Sequence, residues 1–201
     1  MRSILSLCIA LGLTFAVAGC AKPPQEELDA ASSALSAAKA AEAEVYAPDT
    51  YRQATNAMND ANSKVEQKDY EGAKASAVQA KQLADKAATE AKANKSQITN
   101  EAQAIINRVA PGISDTRGSL SAAPRGKGAD DDLDQLNADL SQAEADLSGA
   151  RGNLSSGKAK DALAQARNAE TKLSQVQGSV SGALQKIDAW KEQNKPWFQR
   201  M

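Results

Sequence analysis

The sequence predicts an all-α protein of elongated, antiparallel helical hairpins, about five helices after a cleaved signal peptide. Three observations predict this. Alanine supplies 42 of the 201 residues; it is the best helix former, yet each one buries a single methyl group. Apolar residues recur at intervals of three and four, which places them on one face of a helix. Beyond the turn at residues 66–73, no proline or glycine interrupts the pattern until Pro111-Gly112. Such a chain makes helices easily and a thick core with difficulty, so close-packed hairpins are the expected form.

The elements run in order along the chain. Residues 20–25 form a tether, stiffened by Pro23 and Pro24, whose rings fix φ and favour extended backbone. Residues 26–110 hold three helices. The first carries Leu28, Ala31, Leu35 and Ala38, with Glu26 and Glu27 in its opening turn, where carboxylates complement the helix dipole. Pro48 interrupts it by biasing Ala47 away from the α region, and Asp49 is the expected N-cap of the second helix. That helix carries Tyr51, Ala54, Met58, Ala61 and Val65. A third carries Ala73, Ala77, Ala80, Ala84, Ala87 and Ala91, then Ile98, Ala102, Ile105 and Val109, with a kink expected near the polar Asn94-Lys95.

Residues 111–129, rich in Gly, Ser and Pro, are expected to form a linker. Asp130, Asp131 and Asp132 open a second hairpin over 130–195. Its arms carry Leu133, Leu136, Leu140, Ala143, Leu147, Ala150 and Leu154, then Ala162, Ala166, Ala169, Leu173, Val176, Val180, Leu184 and Ile187. Gly157 suits the helix end between them. A shift of 89 lays Tyr51, Ala54, Met58, Ala61 and Val65 on Leu140, Ala143, Leu147, Ala150 and Leu154. The same shift lays Ala73, Ala77 and Ala80 on Ala162, Ala166 and Ala169. Nearly all the identities are alanines, so a true duplication stays open.

The N-terminus suggests a location. Met1-Arg2 is a minimal basic start and Ile4 to Val17 an apolar run, too short to span a bilayer comfortably, so it reads as a secretory leader. Val17-Ala18-Gly19-Cys20 resembles a bacterial lipobox. That resemblance implies cleavage between Gly19 and Cys20, removal of residues 1–19, and diacylglycerol plus an amide-linked acyl chain on Cys20. Several acyl chains on one residue anchor stably where one does not. Ala21 is not the Asp that resembles an inner-membrane retention signal, so the expected destination is the outer membrane, facing the periplasm.

Composition excludes some chemistry. The chain has no histidine, and the net charge is −1, or −2 once Arg2 leaves with the leader. That mild balance argues against nucleic acid, which requires a basic face. With Cys20 acylated, Cys-His, Ser-His-Asp and histidine-bearing zinc sites are not available. Asp130–Asp134 alternates carboxylates like an EF-hand start, but Gln135 and Ser141 stand where that loop needs Gly and Glu; helix N-terminal carboxylates are the simpler reading. The sequence therefore implies no catalytic residues, no metal and no cofactor beyond the lipid on Cys20. Trp190, Trp197 and Phe198 are the candidate partner-binding residues. They would either dock on the helices or anchor a partner, since Trp is enriched at binding hot spots.

The stretch 45–87, through Tyr46-Ala47-Pro48-Asp49, Tyr51 with Ala54, Asp69-Tyr70-Glu71 and the Ala73–Ala77 step, resembles the domain of unknown function 4398 family of bacterial envelope lipoproteins. The resemblance implies a tetratricopeptide-like helical hairpin with no assigned chemistry. The expectation is a lipid-anchored periplasmic scaffold, spacer or protein-interaction module that is not an enzyme. Its expected partners are membrane lipid through Cys20 and an envelope protein or a second copy. The alternative is a peptidoglycan-binding module or an adaptor for a cell-wall enzyme.

Overall fold

The computed structural model describes residues 22–126 and 128–196, and all of its regular structure there is helical. Six helices occur among the described residues: α1 (Gln25–Ala40), α2 (Ala43–Tyr46), α3 (Pro48–Glu66), α4 (Tyr70–Ala122), α5 (Asp130–Ser155) and α6 (Ala159–Gln193). The chain divides into two units, residues 1–92 and 93–201. The candidate residues Gly19, Cys20, Trp197 and Phe198 lie outside the described residues.

In the first unit, α1 buries Leu28, Ala31, Ala34 and Ala38. The expected Leu35 is only half-buried; Ala34, one position earlier, takes its place in the seam, where a methyl permits the closest approach. The sixth helix arises because α1 stops early. Glu42 adopts the left-handed conformation at φ 60°, and its N–H bonds to the Lys39 carbonyl at 2.9 Å, so Ala43–Tyr46 makes a separate turn. Asp49 is not the cap of α3. Pro48 itself occupies the first turn and Ala47 is the N-cap residue; proline suits that place because its missing N–H would have no partner there. Asp49 instead pairs with Arg52 at 2.8 Å.

The turn between α3 and α4 has a defined chemistry. Lys68 sits at φ 63°, the Lys68 N–H bonds to the Val65 carbonyl and the Asp69 N–H to the Lys64 carbonyl. These two bonds close the last turn of α3 in a Schellman arrangement. The Asp69 carboxylate then accepts the Gly72 N–H at 3.0 Å, capping α4. Leu28, Ala31, Ala61, Ala77 and Ala80 form the apolar cluster of this unit, with Ala57, Met58 and Val65 against it.

The expected linker over 111–129 is corrected by the structure. α4 continues through Pro111-Gly112 to Ala122, 53 residues in all, and it is unbroken at Asn94-Lys95. Pro111 removes one helical N–H, but its side chain faces solvent, where water can satisfy the freed carbonyl. What holds the segment helical is the stripe Val109, Ile113, Thr116, Leu120 and Ala123, all buried. The linker shrinks to residues 123–129.

The second unit combines this part of α4 with α5 and α6. Its core gathers Ile105, Ile106, Val109, Ile113 and Leu120 of α4, Leu133, Leu136, Leu140 and Leu147 of α5, and Leu173, Val176, Val180 and Ile187 of α6. The core here is larger in side-chain volume than the alanine-lined seam of the first unit. Glycine at 112 lets α6 approach, since a Cβ there would lie 2.8 Å from a Leu173 methyl.

Candidate interaction surface

Polar side chains pair across several of the helix seams. In the first unit, Ser76 is 5% exposed on the otherwise alanine face of α4. Its hydroxyl donates to the Asp60 carboxylate at 2.6 Å and accepts from the Lys64 ammonium at 2.9 Å. Lys64 also donates to Asp60 at 2.7 Å. This three-residue pin joins α3 to α4. The Lys64 hydrogen bond, aided by that from Ser76, holds the Asp60 carboxyl below its usual range. Glu27 and Lys74 join α1 to α4 at 2.6 Å; their hydrogen bond lowers the Glu27 pKa and raises that of Lys74.

In the second unit, Arg117–Glu144 at 2.7 Å joins α4 to α5, Lys172–Asp146 at 2.7 Å joins α6 to α5, and Arg108–Glu170 joins α4 to α6. Thr116 is buried; its hydroxyl donates to the Gly112 carbonyl at 2.7 Å and accepts from the Gln177 amide at 3.2 Å. The acidic start of α5 is likewise engaged. Asp130 accepts the Gly126 N–H at 2.8 Å, Asp132 pairs with Lys186, and Asp134 pairs with Arg125, raising the arginine pKa. These carboxylates therefore hold helix ends and seams together.

Open grooves flank α6 among the described residues. One of about 670 Å³ runs between α4 and α6 past Arg108, Val109, Gly112, Glu170 and Leu173. Another of about 360 Å³ lies between α5 and α6 past Asp132, Leu136, Asp139, Gly182 and Lys186. In each, an ion pair, Arg108–Glu170 or Lys186–Asp132, bridges the rim, and Asp139 in the second groove accepts from the Gln135 amide at 2.9 Å. Among the described residues there is no cluster of three metal-ligating side chains, and no helix is long and apolar enough to cross a membrane.

Of the candidate aromatic residues, the structure places Trp190. It lies half-buried in the last turns of α6, beside Gly128, where a Cβ would stand 3.8 Å from its indole ring. Its carbonyl accepts the Asn194 side-chain N–H at 2.8 Å, closing the helix end. The sequence reading missed the Asp60–Lys64–Ser76 pin. Its signal was a single serine between Ala73 and Ala77 on an alanine stripe.

Helices pinned by polar pairs at their seams, with helix faces and open grooves as their described surface, define an all-α bundle protein. Residues 26–105 match the model of a family described as a domain of unknown function (DUF4398). The matched stretch takes in α1 to α3 and the first part of α4 and extends the 45–87 segment on both sides. No curated protein and no solved structure matches the chain.

Proposed function

We propose that the protein is a lipid-anchored scaffold of the bacterial envelope, held to the outer membrane through Cys20, whose periplasmic helices serve as a protein-interaction module and perform no catalysis. The observation that carries this reading is the division of faces along each helix. The apolar stripes are consumed by packing within each unit, and polar side chains pair along the seams. The outward helix faces are then the main surface left for another molecule. The lipobox-like Val17-Ala18-Gly19-Cys20 supplies the anchor, and the alanine-rich helices supply stiff, low-volume packing.

The test is photo-crosslinking in the native bacterium, with a photoreactive residue at exposed Val45 and Val78 and, as a control, at buried Ala80. A scaffold predicts discrete protein conjugates from the outward positions, none from Ala80, and their loss in Cys20→Ser. Conjugates to glycan fragments alone would replace this reading with a peptidoglycan-binding module. Absence of any conjugate at the outward positions would contradict an interaction role.

A further inference from the structure

We infer that the protein is built twice on one helical-hairpin block, position i of 48–92 holding the same structural place as position i + 89 of 137–181, beyond the reach of the family match. The turns agree first. In the first hairpin the N–H groups of Gln67, Lys68 and Asp69 bond to the carbonyls of Ser63, Val65 and Lys64 at 3.1, 3.0 and 2.9 Å. In the second, those of Ser156, Gly157 and Lys158 bond to Gly152, Leu154 and Asn153 at 3.1, 3.0 and 2.9 Å. Each residue is displaced by 89. The left-handed residue is Lys68 at φ 63° in one and Gly157 at φ 73° in the other.

Burial agrees next. Ala54, Ala61, Ala73, Ala77, Ala80, Ala84, Ala87 and Ala91 are buried, and so are Ala143, Ala150, Ala162, Ala166, Ala169, Leu173, Val176 and Val180. A shared turn type alone would set a shared buried face, so a finer observation has to decide. It comes from the pin. Asp60, Lys64 and Ser76 correspond to Gly149, Asn153 and Gln165. Asn153 donates from its side-chain amide to Gln165 at 2.9 Å, bridging the arms at the place where Lys64 meets Ser76. The longer Gln165 occupies the space that a side chain at 149 would take, since a Cβ on Gly149 would lie 2.5 Å from the Gln165 side-chain Oε1. The bulk lost at one position is regained at another, so the three positions vary as a set.

The outward residues do not obey the shift. Lys81 pairs with Asp85 on its own helix, whereas the corresponding Glu170 pairs with Arg108 of α4. Exposed Val78 corresponds to Arg167, which pairs with Glu101. The repeated property is the hairpin and its seam, so a partner that reads the outward face of one copy has no equivalent face on the other.

Exchange of the pins in the full-length chain tests this, read by circular dichroism melting. Ser76→Gln alone crowds the Asp60–Lys64 pair and is expected to lower the melting temperature by about 10 °C. Adding Asp60→Gly and Lys64→Asn, which completes the second hairpin's set, is expected to recover at least half of that loss. A triple variant melting no higher than Ser76→Gln would overturn the equivalence. Turn exchange supplies an independent readout. Lys68→Gly is expected to raise the melting temperature and Gly157→Lys to lower it, each by about 4–8 °C, because only a residue with a Cβ is disfavoured in the left-handed region. Shifts of the same sign, or no shift for either, would also overturn it.

Discussion

Ala80→Leu is expected to destabilise the first unit by about 2–3 kcal/mol, lowering its melting temperature by roughly 10–20 °C. Ala80 is fully buried in the cluster with Leu28, Ala31, Ala61 and Ala77, where α1, α3 and α4 meet through methyl groups. A leucine adds three carbons where no space of that size exists, so it must adopt a poor rotamer or push a helix aside. Helix propensity does not offset this, because alanine is already the better helix former. Ala75→Leu, on the exposed side of the same helix, is the control and is expected to change stability by less than about 0.5 kcal/mol. Equal melting of the two variants would mean that the alanine seam is not close-packed.

The opposite change has the largest expected effect in the second unit. Leu140 is fully buried among leucine, isoleucine and valine side chains. Leu140→Ala removes three carbons and leaves a cavity, at a cost of about 2–5 kcal/mol. Tyr51, its counterpart in the first hairpin, is only half-buried, so Tyr51→Ala is expected to cost less than Leu140→Ala under the same thermal or urea melt. A larger loss at Tyr51 would contradict the different core volumes of the two units. Adding volume harms the first unit and removing it harms the second, because methyl groups close the first seam and leucine-sized side chains fill the second.

The helical class was legible because periodicity and alanine content agree locally along the chain, and the buried set Ala73, Ala77, Ala80, Ala84, Ala87 and Ala91 emerged as read. The end of α4 was not. Pro111, Gly112 and Gly118 act as breakers in isolation, while Ile113, Thr116, Leu120 and Ala123 keep a three-and-four spacing whose weight is felt only once α5 and α6 cover it. Tertiary burial overrides local propensity there. The start of α3 was misjudged by two residues for a related reason: Pro48 breaks the helix before it and is also a good first residue for the next. The Asp60–Lys64–Ser76 pin was hidden because charged residues on a helix normally read as solvated surface. Which residues bridge two arms depends on the turn that sets their register, and Lys68 in the left-handed region gave no sign in the sequence as a glycine would have.

Every part of the proposed function depends on Cys20 anchoring these helices to a membrane. Metabolic labelling of the full-length precursor with an alkyne fatty acid in the native bacterium measures this, when combined with membrane fractionation of the natural protein and Cys20→Ser. Lipid anchoring predicts label on the natural protein, its recovery in the outer-membrane fraction, and loss of both in the variant. A natural protein that is unlabelled, or that fractionates with Cys20→Ser, would contradict it.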